Sequence, residues 1–284
     1  MTGQHHVAQT QDSIEAPRRS SLLKIALGLV LACGFASPAS ALAADWHRSN
    51  DAVEPLPQQI ASTISGSNKA DSRSVQPGSR NDSTWFGELS EDQLATLSED
   101  LIAETNKMRA NPAAYAQKLE DLRDYYEGNL VKVPGHPAVA VVEGVSALDE
   151  AIAVLRGSSP LGALAISPGM SDGANDHAVD LGSRGMTGHY GSDGSDPFSR
   201  ISRYGEWRNR AGENISYGQA TIAEWHLINL LVDDNVPNRG HREALLEPSY
   251  SSMGAACQEH PGFRIVCVMN YASEYEENMS AENK

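Results

Sequence analysis

The chain has 284 residues, with 22 Lys and Arg against 37 Asp and Glu and a net charge of −15 at pH 7. With no basic cluster beyond Arg18-Arg19, that balance excludes an extended phosphate-binding surface and makes nucleic acid a poor partner. The length allows one or two domains, but much of the first third is too poor in large apolar side chains to build a core, so one folded domain is predicted.

The first segment, residues 1–44, reads as a secretory signal. Arg18-Arg19 gives a basic start, Leu22 to Phe35 is apolar but for Lys24, and small residues follow as Ser-Pro-Ala-Ser-Ala-Leu-Ala-Ala. The apolar run is short of the ~20 residues that a membrane span needs. Three variants of the same export reading stand beside it: a loose twin-arginine signal, a lipoprotein acylated at Cys33, and an uncleaved N-terminal anchor. Residues 45–87 are rich in Ser, Asn, Asp, Gln and Pro. Such a segment cannot bury enough surface to offset the entropy of ordering, so a disordered linker is predicted, with a composition that suits an envelope tether.

Order is expected from about Leu89. Ser90-Glu-Asp-Gln and Ser98-Glu-Asp-Leu have the form of helix starts with acids in the first turn. Leu101, Ile102, Thr105 and Met108 then recur at helical spacing as a buried stripe. Asn111-Pro112 interrupts that helix, and Ala113 to Tyr126 resumes it. Val145 to Arg156 is a second amphipathic helix, closed by Gly157. Ser167-Pro168 opens a third, predicted to end where Gly182 closes it after Leu181, with His177 on its apolar face as a packed histidine.

Gly185 to Ser202 reads as loop, and Thr221 to Asp233 as the last helix. A short strand is expected near Glu213 to Tyr217. Two more, Met253 to Cys257 and Phe263 to Met269, flank the turn Gln-Glu-His-Pro-Gly. If Cys33 leaves with the signal, Cys257 and Cys267 remain as an even pair in an oxidising compartment, which favours a disulfide across this hairpin over two buried thiols. Helices first and a small closing sheet make an α+β fold.

Three blocks concentrate chemically capable residues: Gly188-His189-Tyr190-Gly191-Ser192-Asp193-Gly194-Ser195, Gly212-Glu213-Asn214-Ile215, and Asp233-Asp234-Asn235-Val236-Pro237-Asn238-Arg239-Gly240-His241-Arg242. Their order and spacing resemble the CAP superfamily, which comprises the cysteine-rich secretory, antigen 5 and pathogenesis-related proteins. Asn106-Lys-Met-Arg109 resembles the opening helix of its bacterial, SCP-domain members. The resemblance covers about residues 98 to 275, within a CAP domain placed at 88–284.

It implies a three-layer α-β-α sandwich with a cleft lined by two histidines and two acids. His189, Glu213 and His241 match three of those positions. The usual fourth Glu is missing, and Asp233 is the best-placed acid, with Asp234 or Glu224 as alternatives. Asn214 is placed with them in the ligand-binding cleft, as a backbone-binding amide.

Two imidazoles and two carboxylates suit a divalent metal, zinc or else calcium or magnesium, held by His189 and His241. They equally suit metal-free acid–base chemistry or a polar cluster that holds loops together. The expected function is therefore a secreted or envelope-associated cleft protein for a small molecule, lipid or glycan. The rivals are a metal-assisted hydrolase of envelope peptide or glycan, in which His189, Glu213, Asp233 and His241 would be catalytic, and a non-catalytic scaffold. Ser192 and Ser195 sit in no nucleophile elbow, so serine chemistry is not expected. Arg239 and Arg242 are read as solvated or locally paired.

Overall fold

The computed structural model describes residues 88–278 apart from 135 and 137. The segments read as signal and linker lie outside the described residues. Among those described, no helix is long and apolar enough to cross a membrane.

Helix α1 (Glu91–Ala110) opens on a capping box, the Ser90 side chain accepting from the Gln93 N–H while the Gln93 side chain accepts from the Ser90 N–H. Its predicted stripe is buried, with Leu101, Thr105 and Met108 fully inaccessible. Asn111 ends α1, and its side chain accepts from Ala114 to cap α2 (Pro112–Leu122), so one Asn-Pro step serves as both stop and start.

The Asn106-x-x-Arg109 motif is a latch. Asn106 exchanges two hydrogen bonds with the Leu164 backbone, and the buried Arg109 donates to the carbonyls of Gly162, Leu245, Glu247 and Tyr250. Four carbonyls from two distant segments are thereby satisfied by one side chain.

Helix α2 stops four residues short of its expected end. A single 3₁₀ turn (Arg123–Tyr125) and a three-stranded ribbon of β1 (Tyr126–Glu127), β2 (Leu130–Val131) and β3 (Val139–Ala140) lead instead to α3 (Val145–Gly157). After β4 (Ala165–Ile166), Ser167 caps α4 (Pro168–Arg184). Gly182 does not close α4. The helix runs on to Gly185, which takes the left-handed conformation at φ 64°. A Cβ at Gly182 would collide with the Glu259 carbonyl, so that glycine is there for close approach.

The loop that follows contains a short helix, α5 (Pro197–Ile201), capped by Asp196. Strand β5 (Gly205–Gly218) is far longer than the expected segment, and α6 (Ala223–Val232) is not the last helix, because α7 (Gly240–Leu246) follows it. Strands β6 (Ser252–His260) and β7 (Arg264–Glu277) form the closing hairpin.

The main sheet has the order β4-β6-β7-β5, with β4 parallel to β6 and the other pairs antiparallel. Alternation along β7 sorts its two faces. Ile265, Cys267, Met269 and Tyr271 join the core under α1, α2, α3, α6 and α7, while Val266, Val268 and Ala272 pack beneath α4 and α5. The result is the α-β-α arrangement. Cys257 and Cys267 stand directly opposite each other in the β6–β7 register and are bonded as a disulfide.

Candidate functional site

Strand β5 lies at the margin of the sheet, and two consecutive residues on it serve the two helical layers. Glu213 points toward α4 and α5. Its Oε1 accepts from His189 Nδ1 at 2.8 Å and its Oε2 from Arg200 Nη2 at 2.8 Å. Asn214 points the opposite way and donates to the His241 carbonyl at 3.0 Å, which meets the expectation of a backbone-binding amide. Gly212 before them is required because a Cβ there would strike the Tyr250 hydroxyl.

Glu213 is only 1% exposed. Burial alone would raise its carboxyl, but the Arg200 charge and the His189 hydrogen bond outweigh burial and hold it at about 2. His189 itself, on the loop after α4, is partly exposed. The backbone around it is pinned from both sides: the Gly188 N–H donates to the Tyr217 hydroxyl, and Arg200 Nη2 donates to the His189 carbonyl at 2.9 Å.

The second pair is built at a helix junction. Asp233 ends α6 in the left-handed conformation at φ 56°. Its Oδ1 meets His241 Nδ1 at 2.6 Å, and its Oδ2 accepts the backbone N–H groups of His241 and Arg242 at the start of α7. The shorter acid suffices because its own backbone sits beside the helix it caps. The alternatives do other work. Asp234 accepts the Val142 and Glu143 N–H groups, and Glu224 pairs with Lys118. Arg239 and Arg242 are locally paired as expected, with Glu143 and Glu150 and with the carbonyls that end α6.

Carboxylates only accept, so each histidine carries a proton on Nδ1, and in the neutral ring the lone pair is on Nε2. Every oxygen of Glu213 and Asp233 is already engaged. Among the described residues no three His, Cys, Asp or Glu side chains converge to hold an ion, so the four side chains do not form a centre with four direct metal ligands. They do fit the other way in which carboxylates serve metals, fixing the orientation and tautomer of a ligating imidazole.

Sequence reasoning missed Arg200, which is 1% exposed and joins Glu213, the His189 carbonyl and the Ser195 carbonyl. A single arginine in a five-residue helix has no periodicity to announce it. Serine chemistry gains no support. Ser192 is bound to Asp180, and the Ser216–His226 pair, at 2.9 Å, is buried under α6.

An α-β-α domain with histidine–carboxylate pairs at the margin of its sheet defines the class. The folded domain is a CAP domain: residues 150–271 match the family model described as the cysteine-rich secretory protein family. That span includes both pairs, Asn214 and both cysteines.

Among solved structures, an extracellular protein containing a SCP domain from Bacillus anthracis is similar at 21% identity and a TM-score of 0.33, over 40% of this chain and 35% of that one. The chain thus spans about a third of that protein's length. An outer surface protein from Borrelia burgdorferi is similar at 19% identity and a TM-score of 0.34, over 42% of this chain and 80% of that one. No curated protein matches the chain.

Proposed function

We propose that the chain is exported and acts as a binding module, holding a small molecule, lipid or glycan against the imidazoles of His189 and His241. The observation that carries this reading is that both imidazoles are tied through Nδ1 to buried carboxylates whose oxygens are all hydrogen-bonded within the domain. Such carboxylates orient a ligand-binding nitrogen and are poorly placed to act as general bases, which favours binding over turnover. Export is supported by the signal-like order of residues 1–44 and by the disulfide.

Of the divalent cations, zinc fits best. Imidazole nitrogen suits it, whereas calcium and magnesium take oxygen ligands, and the oxygens of Glu213 and Asp233 are turned to the histidines, Arg200 and the start of α7. A bound zinc would supply a Lewis-acidic anchor for a polar ligand group, with His189 and His241 as its protein ligands. Glu213 and Asp233 would keep the Nδ1 protons in place.

Calorimetric titration of the full chain with zinc, calcium and magnesium tests this. The expected result is saturable zinc binding that a His189→Ala, His241→Ala double variant loses while remaining folded. Zinc binding retained by the folded double variant overturns the histidine assignment, and no binding of any ion removes the metal from the proposal.

A further inference from the structure

Behind Glu213 lies a set of polar atoms that the site described above does not use. Three buried side-chain atoms of residues around Glu213 have no hydrogen-bond partner among the described residues: His177 Nδ1, Arg200 Nε and Asn270 Oδ1. Asn270 is the residue directly opposite Glu213 in the β5–β7 register, and its amide nitrogen donates to the Met170 carbonyl on α4. Arg200 is bonded to Glu213. His177 is inaccessible on the inner face of α4, and its imidazole feels the charges of both Glu213 and Arg200. Buried polar atoms without partners are uncommon, and three around one carboxylate call for a common explanation.

Their chemistry is complementary. His177 Nε2 lies 2.9 Å from the Gly188 carbonyl, which can only accept, so Nε2 carries the proton and Nδ1 carries a lone pair. Asn270 Oδ1 is also an acceptor, because the amide nitrogen is the atom facing Met170. Arg200 Nε–H is a donor. Two acceptors and one donor match a single water molecule, which donates to His177 and Asn270 and accepts from Arg200. Buried waters commonly make about three such bonds.

We propose that His177, Asn270 and Arg200 bind one buried water behind Glu213, and that His177 and Arg200 are thereby the positioning residues for His189. The coupling runs through the backbone. His177 holds the Gly188 carbonyl and Arg200 holds the His189 carbonyl, one residue apart, while the same guanidinium fixes the carboxylate that sets the His189 tautomer. The water ties the two clamps to the sheet. Neither residue touches the ligand; both determine where His189 Nε2 points. This inference rests on the reading of His189 as a ligand-binding residue.

The test combines a high-resolution crystal structure of the full chain with imidazole nitrogen spectra of His189. The structure is expected to show an ordered water within hydrogen-bonding distance of all three atoms. In the spectra, wild-type His189 is expected as a single tautomer protonated on Nδ1. His177→Phe, which keeps the ring and removes both nitrogens, is expected to give a tautomer mixture and to weaken zinc binding by about tenfold. His177→Gln, whose amide can again donate to Gly188, is expected to restore most of both.

A crystal structure without that water, an unaltered His189 spectrum in His177→Phe, or no rescue by His177→Gln overturns the proposal. If wild type binds no zinc, the metal reading above fails alone, because the water and the tautomer still decide this one. If His177→Phe does not fold, the wild-type water and the His177→Gln spectrum carry the decision.

Discussion

Replacing Glu213 by Gln removes the charge that couples His189 to Arg200 while keeping the shape of the side chain. The carboxyl is held at about 2 in the folded protein against an ordinary value of 4.5, and it is fully buried, so solvent does not screen the effect. That drop corresponds to about 3 kcal/mol of folding stability. Because the folded value is depressed, this stability is present in full above pH 4.5 and is lost as pH falls from there toward 2.

The variant never has it, and it also leaves the Arg200 charge buried with only neutral partners, an arrangement typically costing about 3–5 kcal/mol. These are two descriptions of one interaction, so about 3 kcal/mol is expected at pH 7. Urea unfolding followed by the fluorescence of Trp207 and Trp225, at pH 7, 5 and 3, measures it. Wild type and Glu213→Gln should differ by about 3 kcal/mol at pH 7 and by only about 1–1.5 kcal/mol at pH 3, the two converging as pH nears 2. Parallel stabilities across that range would refute the assignment of Glu213 as the ionised centre of the cluster.

The disulfide closes a ten-residue separation within one hairpin, so its loss in Cys257→Ala, Cys267→Ala should cost about 2–3 kcal/mol. A reductant should lower the melting temperature of wild type and leave that of the double variant unchanged. Gly254→Ala puts a methyl group against the Met170–Ser171 backbone where α4 crosses β6, so a loss of about 1–3 kcal/mol is expected from the guanidinium midpoint. Gly157→Ala, where the added carbon meets nothing within 4 Å, should leave that midpoint within about 0.5 kcal/mol.

What the sequence made legible followed from local chemistry. The Ser90 and Ser167 caps, the α1 stripe and the opposed cysteines each depend on a few neighbouring residues, and each is where the pattern placed it. The departures come from partners far along the chain. Gly182 resembles a helix stop until β6 is seen lying against it. β5 runs to 14 residues because β7 pairs with nearly its whole length, although its outer stretch, Glu206 to Arg210, has no apolar alternation. α7 has only seven residues, too few for a hydrophobic period to emerge, and Asp233 supplies the start signal from eight positions before His241.

The same distinction explains why the histidines were easier to find than their supports. His189 and His241 stand beside glycines in polar blocks, where a titratable ring is conspicuous. Arg109, Arg200 and Arg242 each spend several donors on carbonyls of other segments, and nothing local marks a buried arginine. The site therefore depends on adjacent residues of one marginal strand. Glu213 reaches into one helical layer and Asn214 into the other, so any shift of β5 along β7 would move both imidazoles together. That shared dependence predicts that damage to the β5 register abolishes both halves of the site at once, whereas damage to Asp233 spares His189.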